Sequence, residues 1–284
     1  HSATNIQSGL YVDKIAVNGV TNETVLSNRL TTINSSYWVA VGTTSISTHY
    51  IATSTDGITW TGRTSPFTSG VAWNGSLWVA TGSGTYKIAT SPDGITWTGR
   101  TSPFPNNGKG VAWNGSLWVA VGVAGGLAIA TSPDGITWTG RTNPVLTSGY
   151  GVAWNGSLWV AVGSGTTSIA TSPDGITWTD RTSPFFPNGF GIAWNGSLWV
   201  AVGQGTYGNG TNTIATSTDG ITWTGRTSPF ITYGYSIAWN GSLWIATGAG
   251  YTTIATSPDG ITWTGRTSPF FPALGVAYGG NTQN

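Results

Sequence analysis

The sequence predicts an all-β fold, a β-propeller of four-stranded antiparallel blades, and three observations carry that expectation. A stretch of seventeen residues, IATSPDGITWTGRTSPF at 88–104, recurs unchanged at 254–270 and with one or two changes at four other places. The motif AWNG sets Trp73, Trp113, Trp154, Trp194 and Trp239 at separations of 40, 41, 40 and 45, with Tyr278 of AYGG 39 further on. Each unit holds four short runs of β-branched and aromatic residues divided by turn signals, so each unit reads as one small sheet.

Within a unit the strands follow in order. VAW comes first and LWVAVG second, flanking Asn-Gly; IATS comes third and ITWT fourth, flanking Asp-Gly. These dipeptides best specify two-residue hairpins, because both central positions then take positive φ. No apolar period of 3.6 residues survives the Gly, Thr and Pro content, which sets helices aside. The first copy is degenerate: TTINSSYWVAVG has Ile33 where the others have Trp, and Trp38 in register with Trp78. The expected units are 30–70, 71–110, 111–151, 152–191, 192–236 and 237–274, all within one domain, 1–284. The remainder, 275–284 with 1–29, makes about one more unit, with GVAYGG as its inner strand and KIAVNGVTNETVLSN as its outer hairpin. Seven blades, the last closed by joining the two ends, is the favoured count; six with an N-terminal extension is the alternative.

Composition narrows the function classes. Only 7% of the residues are charged, against about 25% in an ordinary soluble domain, while Gly, Trp, Ser and Thr are over-used. Ten Lys+Arg nearly cancel nine Asp+Glu, without any run of one sign, so the basic stripe of a nucleic-acid reader is missing. Cysteine is absent, which leaves neither disulfides nor thiolate metal ligands and is compatible with an extracellular setting. No apolar run is long enough to span a bilayer. The start at His1-Ser2 and the lack of Met point to a trimmed N-terminus.

At TSPDGITWT the chain resembles the Asp-box, or BNR, repeat family of propellers, whose motif is written S-x-D-x-G-x-T-W. Ser91, Asp93, Gly94, Thr96 and Trp97 supply the pattern, with one residue fewer between Asp and Thr. Whole units from about residue 30 onward are similar to repeat proteins of bacteria and bacteriophages. The resemblance implies a propeller with the Asp box as a fold element on the blade rim, and an extracellular, cell-surface or virion location. Asp boxes occur in sialidases, other glycosidases, lectins and non-enzymatic propellers, so the resemblance does not choose an activity. The physics of the turn agrees with a structural Asp, since it accepts bonds from N–H groups of its own loop. The Ile and Trp after it, two apart in a strand, are expected on one face.

Counting carboxylates argues against an enzyme. Six of the nine acids, Asp56, Asp93, Asp134, Asp174, Asp219 and Asp259, are the turn residues, leaving Asp13, Glu23 and Asp180. A glycosidase needs two facing carboxylates. His1 and His49 are the only imidazoles, so a metal centre is not expected, and neither is a cofactor. Arg63, Arg100, Arg141, Arg181, Arg226 and Arg266 occupy one position in every repeat and cannot converge on one substrate. Their structural reading is stacking on a Trp or bonding to a neighbouring blade's carbonyls; their functional reading is a set of sugar pockets between blades. Asn74, Asn114, Asn155, Asn195 and Asn240 match the N-glycosylation sequon, as do Asn22, Asn34 and Asn209, but in the first five Asn-Gly is already demanded by the hairpin.

Position points to the variable face. With strands running outward in order, the Asn-Gly and Asp-Gly turns share one face, and the connections from second to third strand and from fourth to the next first strand share the other. The second face carries Tyr86, Lys87, Lys109, Tyr150, Phe190, Tyr207, Asn209, Tyr233, Tyr235 and Tyr251 in loops. Tyr and Asn on a rigid scaffold make adaptable contacts at low entropic cost, and a flat ring suits a sugar. The expected function is therefore a non-catalytic binding propeller, a multivalent glycan-binding or adhesion module with a glycan, cell-surface or virion partner. The alternative is a structural or protein-interaction repeat scaffold, of a phage or bacterial surface or an engineered or amplified repeat, and a glycosidase is the least expected reading.

Overall fold

In a computed structural model the described residues are 16–17, 20–21, 29–32, 38–41, 49–54, 59, 61–64, 69–123, 127–142, 146–181, 187–205 and 212–267. Every regular element among them is a strand. A short pair, β1 (Ala16–Val17) and β2 (Val20–Thr21), precedes six sheets of four strands. The first sheet is β3 (Arg29–Thr32), β4 (Trp38–Val41), β5 (His49–Ser54) and β6 (Thr61–Thr64), and the second β7 (Gly70–Trp73), β8 (Trp78–Thr81), β9 (Ile88–Ser91) and β10 (Thr98–Arg100). The third is β11 (Gly108–Trp113), β12 (Trp118–Gly122), β13 (Ile129–Ser132) and β14 (Thr139–Arg141), and the fourth β15 (Leu146–Trp154), β16 (Trp159–Gly165), β17 (Ile169–Ser172) and β18 (Thr179–Arg181). The fifth is β19 (Gly189–Trp194), β20 (Trp199–Gly203), β21 (Ile214–Ser217) and β22 (Thr224–Arg226), and the sixth β23 (Tyr233–Trp239), β24 (Trp244–Ala249), β25 (Ile254–Ser257) and β26 (Thr264–Arg266).

Spatial order follows chain order in each sheet. The first strands β3, β7, β11, β15, β19 and β23 lie against one another in turn, so they are the innermost strands of successive blades around an axis. The six four-stranded sheets among the described residues agree with the alternative count of about six blades rather than the favoured seven. Within the segment expected to form an outer hairpin, β1 and β2 make a separate two-stranded pair, with β1 beside β6. The inner strand expected for that seventh blade, at 275–284, lies outside the described residues.

The second strand shows why blades stack. In Trp118-Val119-Ala120-Val121 side chains alternate between the two faces of the sheet, and both faces are buried. Trp118 and Ala120 pack on Val79 and Ile88 of the blade before, while Val119 and Val121 pack against Trp159 and Ala161 of the blade after. The same division recurs at Trp78, Trp199 and Trp244, and all five of these indoles are fully buried. Each also meets the indole that ends its own innermost strand, Trp154 and Trp159 lying 5.0 Å apart at 47°. Large rings therefore fill the widening gap between blades, which explains a chain rich in Trp and poor in Leu.

Both turns differ from the expected hairpins with Asn-Gly and Asp-Gly at their centres. Trp73 and Trp78 pair directly and the Asn74 N–H donates to the Leu77 carbonyl at 3.2 Å, so the two central residues are Gly75 and Ser76. Asn74 is not a central residue of that turn but its anchor: its Oδ1 accepts from the N–H of Leu77 at 2.7 Å and of Ser76 at 2.9 Å, and Gly75 takes φ +101°. The Asp-Gly turn is wider, since Thr90 pairs with Thr98. Asp93 Oδ1 accepts from the N–H of Ile95 and Thr96, each at 2.8 Å, and from the Ser91 hydroxyl. That hydroxyl in turn accepts from the Gly94 N–H, and the Trp97 indole N–H donates to the Gly94 carbonyl at 3.0 Å. A side chain that collects two N–H groups closes a longer loop than backbone pairing alone permits. The expectation of one shared face for Ile and Trp fails for the same reason, because both sit in this loop: Ile176 is 42% exposed and Trp178 6%. In the first sheet Thr32, not Ile33, stands opposite Trp38.

The same bonds set an acid limit on stability. N–H donation from Thr222, opposed by a desolvation contribution and reinforced by Ile221 and the Ser217 hydroxyl, lowers the Asp219 pKa to about 2. The carboxyls of Asp134, Asp174 and Asp259 are lowered first by the N–H of Thr137, Thr177 and Thr262; at Asp93 desolvation pulls upward and the N–H groups of Thr96 and Ile95 outweigh it. A carboxylate with a depressed folded pKa stabilises above its unfolded value and loses that contribution as pH falls through the folded one. The melting temperature is therefore expected to hold steady above about pH 4 and to fall between about pH 4 and about pH 2. Asp219→Asn should melt lower than wild type at neutral pH, with the gap closing near pH 2; a constant gap would refute the assignment.

Candidate functional site

The structure redraws the variable face by moving its key residues from loops into strands. Lys109, Tyr150, Phe190 and Tyr235 lie within the innermost strands β11, β15, β19 and β23, which begin before the unit starts expected at 111, 152, 192 and 237. Their neighbours are held there by an extended second strand: β16 runs on to Gly165, so Leu146 and Ser148 still find partners.

All four are the extra residue of a β-bulge. Pairing of β11 with β12 skips from Gly108 to Gly110, and the other sheets skip from Gly149 to Gly151, Gly189 to Gly191 and Gly234 to Ser236. A bulge turns its unpaired side chain away from the regular pleat. The flanking glycines show what holds it: a Cβ at Gly149 would stand 2.6 Å from Val121 Cβ of the preceding blade, and one at Gly108 2.7 Å from the Lys87 carbonyl. On the other side, a Cβ at Gly70 would stand 2.8 Å from the carbonyl of Lys109, at Gly110 3.2 Å from that of Tyr150, at Gly151 3.2 Å from that of Phe190, and at Gly191 3.3 Å from that of Tyr235. Backbones of successive innermost strands touch at this level, so Lys109, Tyr150, Phe190 and Tyr235 follow one another around the axis as one arc.

The arc is mostly aromatic and rigidly mounted. Ring centroids of Tyr150 and Phe190 are 5.4 Å apart and those of Phe190 and Tyr235 6.0 Å; Tyr233 stacks on Tyr235 at 5.6 Å and 9°, and lies 6.2 Å from Phe190. These separations are within the range of favourable ring pairs. Backbone bridges tie one blade's second strand to the next blade's innermost strand on this same face: Val123 to Ser148, Ser164 to Asn188, and Gln204 to Tyr233. The Gly108 N–H donates to the Gly82 carbonyl, and Gly205 to Thr232, each at 2.9 Å.

Lys109 ends the arc as a half-buried ammonium whose pKa is lowered by burial. Among the described residues, Asp93, Asp134, Asp174, Asp219 and Asp259 are engaged in turns on the opposite face, and Asp180 lies on the outer strand β18. Burial, then the neighbouring Tyr233, raises the Tyr235 pKa.

The other sequence candidates do not join this arc. Tyr86, 46% exposed, lays its ring over Gly99 of the outer strand β10, and Lys87 Nζ donates to the Gly84 carbonyl within its own loop. Tyr251 is 98% exposed on a separate loop. Tyr207 and Asn209 lie outside the described residues. The contact the structure gives the repeated arginines is inside the blade: Nε of Arg63, Arg100, Arg141, Arg181, Arg226 and Arg266 donates at 2.7–2.8 Å to the hydroxyl of Thr53, Thr90, Thr131, Thr171, Thr216 and Thr256 on the adjacent strand. What sequence reasoning missed is the bulge. Its signal was present, two glycines around one variable residue directly before VAW or IAW, as in GKG, GYG and GFG.

No protein-family model and no curated protein matches the sequence. Among solved structures the chain is similar to one in the mitotic checkpoint complex, at 12% identity and a TM-score of 0.68 over 98% of this chain and 93% of that one. It is also similar to a chain of the nidogen/laminin complex (11% identity, TM-score 0.59, 88% of this chain and 97% of that one) and to YCF48 bound to D1 peptide (17%, 0.56, 85% and 81%). At these identities the likeness speaks for the fold, and with the six stacked sheets it makes the chain a β-propeller.

Proposed function

We propose that this propeller is a non-catalytic interaction scaffold that binds a polypeptide partner across the arc of Lys109, Tyr150, Phe190 and Tyr235, with Tyr233 beside it. The observation that carries this reading is the set of four bulges, which present four side chains at one level of adjacent blades. Repeated polar groups are otherwise occupied: the Asn, Asp and Arg of the template serve their own turns and strands. The bulge residues differ from blade to blade, Lys109, Tyr150, Phe190 and Tyr235 in turn, which favours one asymmetric site over the six equal pockets a multivalent lectin would show. Support also comes from the propeller neighbours, whose structures are complexes with protein or peptide. The Asp-box kinship belongs to the same proposal, supported by the recurrent bonding of Ser91, Asp93, Gly94 and Trp97.

The test is selection of a displayed random peptide library on the purified protein, run beside a glycan array. Enriched peptides that lose binding to a folded Phe190→Ala variant are the expected result. Glycan hits without peptide enrichment would replace the reading with the glycan one, and peptides that bind Phe190→Ala unchanged would remove the site from the arc.

A further inference from the structure

We infer that the occupant of the arc is an extended segment that sets an acidic side chain on Lys109 and aromatic side chains at the second and fourth positions from it, against Tyr150, Phe190 and Tyr235. This rests on reading the arc as a polypeptide site. Spacing gives the pattern: successive rings are 5.4 and 6.0 Å apart, while an extended chain presents side chains to one face about every 6.6 Å. Lys109 stands one blade before Tyr150, and the Cβ position of Gly110 beside it lies 3.2 Å from the Tyr150 carbonyl, so its bulge is one blade step from that of Tyr150.

Charge gives the polarity. The arginines at the repeated position are each bonded to a threonine, and Lys87 to Gly84. Lys109 is the described lysine whose ammonium sits half-buried on the innermost strands, and no carboxylate is bonded to it among the described residues. Burying an ammonium costs free energy that an incoming carboxylate offsets, and such a pair, once shielded by bound rings, discriminates strongly between partners. One cation suits one carboxylate, whereas a phosphate backbone calls for several. The stacked pair Tyr233 and Tyr235 supplies a broad apolar platform at the far end, so the two ends of the site differ and the segment has one preferred direction.

The probe is acetyl-Glu-Gly-Trp-Gly-Trp-amide, in which the glutamate side chain is the only carboxylate, titrated into the intact protein and compared with its Gln counterpart. Replacing Glu by Gln in the probe is expected to weaken binding about tenfold, and that difference should vanish in Lys109→Gln, whose fold is checked by thermal unfolding. Equal affinity of the two probes, a difference that persists in Lys109→Gln, or no binding at millimolar probe would overturn the inference. Equal affinity that is lost in Phe190→Ala would overturn the acidic preference while upholding the arc; affinity unchanged in Phe190→Ala would overturn both.

Discussion

Trp159→Ala is expected to lower stability by about 3–5 kcal/mol, read in denaturant unfolding, with a fall in melting temperature of roughly 10 °C for a chain of this size. The indole is fully buried between two sheets, against Val119 and Val121 of the blade before and beside Ala161 and Ala170 of its own. The flanking side chains are carried on hydrogen-bonded strands of two sheets, and Gly175 closes one side, its Cβ position lying 3.2 Å from the indole nitrogen. A void there has little means of collapse, which places the cost high in the range. Trp159→Phe should cost less than half as much, because it keeps a ring and removes an N–H that has no hydrogen-bond partner. A loss below 1 kcal/mol for the alanine variant would mean that the blades are not held together through this ring.

The repeat made the architecture legible, and local chemistry made parts of the site illegible. Period, strand order and the separation of a constant from a variable face followed from alternating apolar runs and their spacing. Turn geometry did not, because Asn-Gly and Asp-Gly were read by backbone preference while Asn74 and Asp93 act through their side chains. The arginines became clear only with register: Arg100 stands opposite Ile88, which puts Thr90 two residues along the same face, within diagonal reach. Tyr86 and Tyr235 are indistinguishable as tyrosines in glycine-rich segments. What separates them is the neighbour each glycine meets, a ring over Gly99 in one case and a neighbouring blade beside Gly234 in the other, and that is a fact of blade packing that a single strand's sequence does not carry.

Gly149→Ala tests that packing argument at the arc itself. Its Cβ would lie 2.6 Å from Val121 Cβ and 3.2 Å from the Ala128 carbonyl, both part of the preceding blade and neither a flexible side-chain end. The strand must move, at an expected cost of about 2–3 kcal/mol, and Tyr150, which follows it in the bulge, moves with it. Weakened peptide binding should therefore accompany the lost stability. Gly156→Ala is the control: Gly156 has φ +100° and nothing within 4 Å of its Cβ position, so it carries only the backbone penalty of about 1–2 kcal/mol, with binding intact because its turn lies on the opposite face. Equal binding in both variants would show that the bulge does not position Tyr150. Gly149→Ala milder than Gly156→Ala would show that close approach of the blades is not what the glycine at 149 serves.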